Sequence, residues 1–214
     1  MVYNYLKTAL RNIFRNKFYS LINVLGLSVG ITVFLLIYFY VQSEFNFDKH
    51  FQDSKNIYRI TTDMIWENGD VQYTAMSPPP TAPALKKQYP EVPSATRFRI
   101  ESTMMVESQK HRGSLQAMKN YETVFYVDDD FLNVFQLNLV QGSAQSVFDI
   151  SRSMMISQSM AEKYFPDENP LGKLLRLNDR ENYAVKAVFK DAPKNSHLDF
   201  QVLLNLAFYQ NALY

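Results

Sequence analysis

The 214-residue chain contains no cysteine. Its fold therefore needs no disulfide, and cysteine nucleophiles and thiolate metal sites are excluded. Glycine is scarce, with six residues, and none belongs to a G-x-x-x-x-G-K-[ST] loop, so the chain does not hold ATP through a P-loop. Histidine is scarcer still, with three residues. His50, His111 and His197 lie far apart and do not have the spacing of metal ligands. These absences argue against a metal centre.

Charged side chains are absent from residues 21–41, which read LINVLGLSVGITVFLLIYFYV. As a helix this run is roughly 31 Å long, about the hydrocarbon thickness of a bilayer, so it predicts a transmembrane helix over residues 20–42. A cleaved signal peptide is the alternative. The run is too long for an ordinary signal peptide, however, and no A-x-A-like cleavage site follows it, so we expect an uncleaved anchor.

Acidic residues are also missing from the start of the chain, where Glu44 is the first. Four basic residues precede it: Lys7, Arg11, Arg15 and Lys17. Basic residues beside a span stay in the cytoplasm, so the N-terminus is predicted to be cytoplasmic and residues after about 43 extracytoplasmic. Subtracting these four from 22 basic residues leaves 18, against 21 acidic residues. This slightly acidic remainder argues against nucleic acid as a partner.

The residues before the predicted span contain apolar and basic side chains, each at helical spacing. Apolar side chains recur at helical spacing at Tyr5, Leu6, Ala9, Leu10, Ile13, Phe14 and Phe18. Lys7, Arg11 and Arg15 lie four residues apart on a shared stripe. This pattern predicts an amphipathic helix over residues 1–19 in the inner headgroup layer, with its bases toward anionic lipid. The basic stripe serves either as a topology signal at the lipid surface or as a contact for a cytoplasmic partner.

Inside the span, Gly26 and Gly30 form a G-x-x-x-G pattern with Ser28 between them. Small residues at this spacing let a second helix approach closely. We therefore regard Gly26, Ser28 and Gly30 as candidate helix-packing residues. The sequence has no second apolar run of this length, so their partner helices are expected to come from elsewhere.

The remaining residues, 43–214, have the length and aromatic content of a folded domain. Alternating, β-rich or short apolar segments predict strands over residues 57–64, 71–75, 97–100, 104–107, 121–127, 154–156, 174–177 and 183–189. One face of the last strand is expected to carry Tyr183, Val185, Ala187 and Phe189. Short helices are predicted over 81–89, over 131–135 and from Ser159, whose spacing to Glu162 is that of a capping box. Such intermixed strands and helices predict an α+β fold.

No motif supports catalysis, and we expect neither enzymatic activity, nor a cofactor, nor a bound metal. Asp128, Asp129 and Asp130 lack the ligand spacing and the glycine of a calcium loop, and acids before a helix are ordinary cap and dipole partners. Ser196 and His197 are residue types found in hydrolases, but the chain has no G-x-S-x-G nucleophile elbow. A membrane-anchored hydrolase is therefore the weakest of the functional hypotheses.

Six short strings occur in one order along nearly the whole chain. They are Glu44 with Phe47-Asp48, Tyr58-Arg59, Pro-Glu-Val at 90–92, Phe131-x-x-x-Phe135, Asn-Pro-Leu-Gly-Lys at 169–173 and Asn-Ser-His-Leu at 195–198. In these strings and their order the chain resembles the N-terminal part of the MacB/FtsX-type ABC transporter permeases, with their MacB-like periplasmic core domain. Residues 43–214 would then form that periplasmic domain.

The resemblance implies a permease subunit of an ABC export or mechanotransmission complex in the cell (inner) membrane. It implies a separate cytoplasmic ABC ATPase, which binds the ATP, and further permease helices or a second permease copy. It also implies a partner protein in the periplasm. Motion driven by the ATPase is expected to pass through the membrane helix to the periplasmic domain, with a mechanical joint around residues 42–48.

Members of that family have at least three further spans after the periplasmic domain. The resemblance therefore implies a permease subunit or an N-terminal fragment of one, with a periplasmic core domain that is expected to be incomplete at its C-terminal end. The alternative is a binding module, namely an extracytoplasmic sensor or adaptor anchored by a single span. The sequence does not identify a transported substrate.

Overall fold

The structure is a computed structural model that describes residues 2–51, 53–108, 117–143, 147–148 and 152–211. The chain divides into two compact units, Met1–Phe47 and Asp48–Tyr214. Each unit has its own internal packing.

The first unit consists of helix α1, Val2–Arg15, and helix α2, Lys17–Phe45. Asn16 separates them and makes no side-chain capping bond. No described side chain of α2 is buried, and within the described residues it is the one helix long and apolar enough to cross a membrane. Helix α2 begins before the predicted boundary at residue 20 and continues past residue 42. No proline interrupts the helix anywhere in Lys17–Phe45.

The second unit is a mixture of strands and short helices, which confirms the predicted fold type of this domain. Its described strands are β1 Thr62–Ile65, β2 Val71–Thr74, β3 Phe98–Ser108, β4 Lys119–Val127, β5 Leu139–Gly142, β6 Ser153–Ser157, β7 Leu174–Leu177, β8 Glu181–Phe189 and β9 Val202–Asn205. Its described helices are α3 Thr81–Gln88, α4 Phe131–Phe135, α5 Gln158–Tyr164 and α6 Leu206–Asn211, with a 3₁₀ turn at Ser54–Asn56.

Strands β1 and β2 form a separate antiparallel hairpin, in which Ile65 pairs with Val71 beside the Asn68-Gly69 turn. The first strand is shorter than predicted, since residues 57–61 are not part of it. The other seven strands form one sheet in the order β5-β8-β6-β9-β4-β3-β7. Because β7 also pairs with β8, six of these strands close into a ring.

All six ring strands contribute side chains to one hydrophobic cluster, the inner cluster. It also contains Met160 and Tyr164 from α5. A second cluster, the outer cluster, lies on the opposite faces of β4, β6, β8 and β9 and is rich in phenylalanine. Its members include Phe51, Phe131, Phe135 and Phe200. The domain thus has a core on each side of its sheet, as expected for strands with both faces buried.

The prediction that every second residue of β8 faces one side is wrong. Met154 of β6 pairs with Val185 and Met155 pairs with Ala187, so Lys186 is an extra residue at a β-bulge. The bulge reverses the alternation. Val185 and Val188 therefore join the inner cluster, whereas Ala187 joins the outer one.

The predicted capping box at Ser159 and Glu162 is also wrong. Helix α5 begins at Gln158, and its N-cap is Ser157, whose side chain accepts a hydrogen bond from the Met160 backbone N–H. Ser159 lies inside the helix, where its Oγ donates to Asp191 at 2.6 Å. The Ser157 cap has methionine rather than Glu or Gln three residues later, so no capping-box pattern marks it in the sequence.

Candidate functional site

The three consecutive acids of residues 128–130 are occupied by protein groups. Asp128 pairs with Arg97 at 3.0 Å, Asp129 accepts from the Asn205 amide at 3.1 Å, and Asp130 pairs with Lys86. Asp130 is the N-cap residue of α4 but makes no side-chain capping bond. Its carboxylate binds a lysine instead, so the predicted capping role is not the one it takes. Within the described residues no group of three or more His, Asp or Glu side chains is arranged to hold a metal ion.

A densely hydrogen-bonded polar site of the second unit lies at its first residue, Asp48, which follows the last residue of α2 by three positions. Its Oδ1 accepts from the Ser196 hydroxyl at 2.7 Å and from the His197 backbone N–H at 2.9 Å. Its Oδ2 lies 2.8 Å from His197 Nδ1. The Asp48 backbone N–H donates to the Asn195 carbonyl at 3.1 Å. Together these four contacts, which we call the Asp48 dock, join Asp48 to the loop of residues 195–198.

The backbone at Asp48 is unusual as well. Its φ of +55° lies in the left-handed region, which most side chains avoid and which aspartate tolerates better than most. The Ser196 hydroxyl contacts the Leu198 carbonyl at 3.3 Å and accepts from the Leu198 N–H at 3.1 Å, which holds the loop in a tight turn. Both partners in the dock therefore have locally fixed backbones.

The electrostatics of the dock favour a charged carboxylate. Partial burial raises the pKa of Asp48, but the hydrogen bonds from Ser196 and His197 outweigh this effect, and the pKa lies below its ordinary value. Burial lowers the pKa of nearby His50, an effect that the charge of Asp48 opposes. An ionised carboxylate only accepts hydrogen bonds, so His197 Nδ1 carries a proton in this contact.

The geometry contradicts a hydrolase built on Ser196 and His197. In a serine hydrolase the histidine accepts the hydroxyl proton while the carboxylate orients the histidine. Here the Ser196 hydroxyl donates directly to Asp48, and His197 Nδ1 contacts that same carboxylate. The carboxylate thus takes the place that the general base needs. The three residues connect two segments of the chain. His111, another histidine considered in the sequence analysis, lies outside the described residues.

The dock leads directly into the core on both of its sides. Three residues after Asp48, the Phe51 ring packs edge-to-face on Phe135, with centroids 5.2 Å apart. Two residues after Leu198, Phe200 is buried with its ring centroid 5.0 Å from those of Phe125 and Phe131. Phe200 is followed by β9, which lies between β6 and β4 in the ring. The dock is therefore anchored in the outer cluster at both ends.

The other predicted site residues lie in the first unit. The side chains of Lys7, Arg11, Arg15 and Lys17 are exposed. On α2, nothing in the described structure lies within 4 Å of where a Cβ would be at Gly26 or Gly30. Ser28 bonds to the Val24 carbonyl at 2.6 Å. Residues two apart on a helix do not share a face, so Ser28 is set apart from the two glycines.

Sequence reasoning missed the dock, although its two halves were visible. Phe47-Asp48 and residues 195–198 each belong to the strings that carry the family resemblance. Nothing local indicates that residues almost 150 positions apart meet, because a carboxylate, a hydroxyl and an imidazole have many alternative partners. A polar residue next to a predicted span, together with a Ser-His pair lacking a nucleophile elbow, was the only available signal.

Comparison with known proteins now adds the family. A family model described as the MacB-like periplasmic core domain matches residues 20–214, which include most of α2 and the whole second unit. The chain belongs to this family. A curated relative is the uncharacterized ABC transporter permease YvrN of Bacillus subtilis (strain 168), which is 22% identical over 195 residues. The match covers 87% of this chain but only 46% of YvrN, so the chain spans less than half of that relative.

A solved permease domain shares the fold of the second unit. A crystallised domain of a candidate permease protein from Porphyromonas gingivalis has a TM-score of 0.58 and 23% identity, and the match covers 69% of this chain and 62% of that chain. The periplasmic region of MacB from Actinobacillus actinomycetemcomitans has a TM-score of 0.47 and 20% identity, with 61% and 55% covered. Because the second score is low, the fold assignment rests on the family model and the Porphyromonas domain. The predicted family is confirmed.

Proposed function

We propose that this chain acts as a permease subunit, or as its N-terminal part, in an ABC export or mechanotransmission complex. The observation that carries the proposal is the family match over residues 20–214, since one family model spans both an apolar helix and the folded domain. In this proposal α2 is a membrane span and the second unit is a moving part outside the cytoplasm. A separate ATPase binds and hydrolyses the ATP.

The described chemistry is consistent with a moving part. The Asp48 dock ties chain segments together and has no activated nucleophile, and the acids of residues 128–130 are engaged by protein groups. The exposed apolar surface of α2 calls for a lipid or helix environment, because an unburied apolar helix of this length is unfavourable in water. The Gly26 and Gly30 stripe gives further permease helices, or a second permease copy, a place to pack.

The orientation follows from the basic residues of α1. Lys7, Arg11 and Arg15 precede the span without any acid, so we place α1 at the cytoplasmic leaflet and the second unit in the periplasm. Single-cysteine variants test this directly, since the chain has no cysteine of its own. In intact cells, a membrane-impermeant maleimide is expected to label Lys190→Cys but to label Lys7→Cys only after lysis. Labelling of Lys7→Cys in intact cells contradicts the orientation.

The subunit proposal is tested by isolating the chain under mild detergent from cells that express it with its neighbouring genes. An ABC ATPase is expected to co-purify, together with further membrane spans encoded in the same or an adjacent reading frame. Sequencing past the codon for Tyr214 identifies those spans. Recovery of the chain alone, with no further spans encoded nearby, contradicts the permease proposal and favours the single-span sensor or adaptor.

A further inference from the structure

Asp48 combines an unfavourable backbone with an unusually complete set of side-chain contacts. A residue other than glycine at a φ of +55° has a conformational cost, and such residues persist where the surroundings hold them in place. Here the holding groups are Ser196, His197 and Asn195. A strained backbone and three hydrogen bonds to one carboxylate are separate observations. Both indicate that the chain direction is fixed at this residue.

The position of the dock gives this fixed direction a consequence. Asp48 is the first residue of the second unit, and the chain that reaches it comes directly from α2. The loop that holds it continues through buried Phe200 into β9, a strand paired on both sides within the ring. A displacement of the chain at Asp48 therefore acts on a central strand.

We propose that Asp48 is a positioning residue, whose carboxylate fastens the chain leaving α2 to the loop of residues 195–198 and thereby couples movement of α2 to β9. This proposal rests on the proposed function for the source of the movement. The docking itself does not depend on an ATPase. The two parts can therefore be tested separately.

The groups that face Asp48 suit the task. Ser196 and His197 approach from the loop, and His50 lies on the chain segment that follows Asp48. Bonds from a hydroxyl, a backbone N–H and an imidazole to one ionised carboxylate are charge-assisted and directional. The Asp48 side chain is 35% exposed, so the dock can open without unfolding the core. It is strong enough to fix a direction and local enough to be removed by one substitution.

Hydrogen exchange in the full chain, held in lipid nanodiscs, tests the docking. In Asp48→Ala the backbone amide of His197 is expected to exchange about tenfold faster or more, because its carboxylate acceptor is gone. The amides of β9 are expected to keep their protection, which separates loss of the dock from unfolding. The control is Asp63→Ala, which removes an exposed carboxylate from the β1–β2 hairpin. Unchanged exchange at His197 in Asp48→Ala overturns the proposal.

Two further variants separate the side chain from the backbone. Asp48→Gly accepts the left-handed backbone but has no carboxylate, so it is expected to exchange like Asp48→Ala. Asp48→Asn tolerates the same backbone and keeps one carbonyl oxygen for Ser196 and the His197 N–H, so it is expected to restore part of the protection. Full protection in Asp48→Gly shows that the backbone alone makes the connection, and it overturns the role of the carboxylate.

The coupling is tested on the complex with its ATPase. Asp48→Ala is expected to leave ATP hydrolysis in place while the ATP-dependent movement of the second unit is lost. That movement is measured by the distance between spin labels at Lys7→Cys and Lys190→Cys. Equal movement in Asp48→Ala and wild type overturns the coupling role. Absence of any ATPase partner overturns the proposed function instead and leaves the exchange result intact.

Discussion

Among the glycines that the structure describes, Gly142 has the least room for a side chain. Its φ is +83°, and an added Cβ would lie 2.1 Å from the Lys186 carbonyl oxygen. The clash is with backbone, at the place where β5 pairs with the bulged part of β8. The bulge in β8 therefore requires glycine at this point of the neighbouring strand.

Gly142→Ala is expected to lower the free energy of unfolding by about 1–3 kcal/mol, through a left-handed backbone and a steric clash combined. Chemical denaturation followed by circular dichroism measures the loss. Gly69→Ala is the matched control, because Gly69 has a φ of +85° with nothing within 4 Å of an added Cβ. It carries the backbone strain without the clash. An equal effect of the two substitutions contradicts the steric argument.

Asp48 gives the chain a defined dependence on pH. Because the pKa of the folded carboxylate lies below its ordinary value, the dock stabilises the domain fully above that value and loses its effect as the pH falls through the lowered pKa. Wild type is expected to unfold at a higher temperature than Asp48→Asn above about pH 5, and the difference is expected to vanish in stronger acid. A difference that persists or grows in acid contradicts the assignment.

His50 contributes to the same pH profile in a way that can be separated. Burial lowers its pKa, so the folded domain binds that proton less readily and loses stability as the pH falls through the ordinary histidine range. Both wild type and Asp48→Asn keep His50. The charge of Asp48 opposes the lowering of the His50 pKa, so the two curves also differ in the histidine range, and the part of the difference that is lost in stronger acid reports on the Asp48 carboxylate.

Among the elements, α5 shows how a local signal can be misplaced. The sequence contains two serines two residues apart, and the capping-box pattern selects Ser159, whereas the structure uses Ser157. Loss of an N-cap hydroxyl costs about 0.5–2 kcal/mol. Ser157→Ala is expected to lower the free energy of unfolding by that amount in chemical denaturation. Glu162→Ala is expected to cost clearly less, and equal losses would contradict the capping role of Ser157.

The strands show which parts of the fold the sequence could predict. Local sequence patterns identified β2, the core of β4, β6 and the β7–β8 hairpin, because these depend on neighbouring residues and on the Asn178-Asp179 turn. The bulge at Lys186 was not predictable, since it depends on how β5 and β6 pair with β8. Two predicted segments also proved to be one strand, β3, with an irregularity between Glu101 and Met104.

At the scale of the whole molecule, the helix-packing role of Gly26 and Gly30 stays a prediction. Nothing in the described structure packs on Gly26 or Gly30, so their substitution is not expected to change the stability of the second unit. If these glycines bind another helix, Gly26→Ile with Gly30→Ile is expected to reduce recovery of partner spans in mild detergent. Val24→Ile lies on the opposite side of α2 and serves as the control. Unchanged recovery contradicts the packing role.

The closure of the ring and the Asp48 dock are the features furthest from sequence prediction. The ring depends on parallel pairing of β4 with β9, whose residues lie about eighty positions apart, and on the contact of β3 with β7. The dock joins residues 48 and 197. Hydrophobic alternation tells which face of a strand is buried but not which strand lies beside it. The family resemblance predicted the type of domain, but it predicted neither the closure of the ring nor the Asp48 dock.

Trp66 is the chain's one tryptophan, and it lies beside the turn of the β1–β2 hairpin with 57% of its surface exposed. Its emission is therefore expected to be that of a water-exposed indole already in the native protein. Denaturation of the ring should hardly shift that spectrum, whereas anything that covers the hairpin should shift it to the blue. The fluorescence of Trp66 is therefore expected to be insensitive to unfolding of the ring and sensitive to the binding of another molecule at the hairpin.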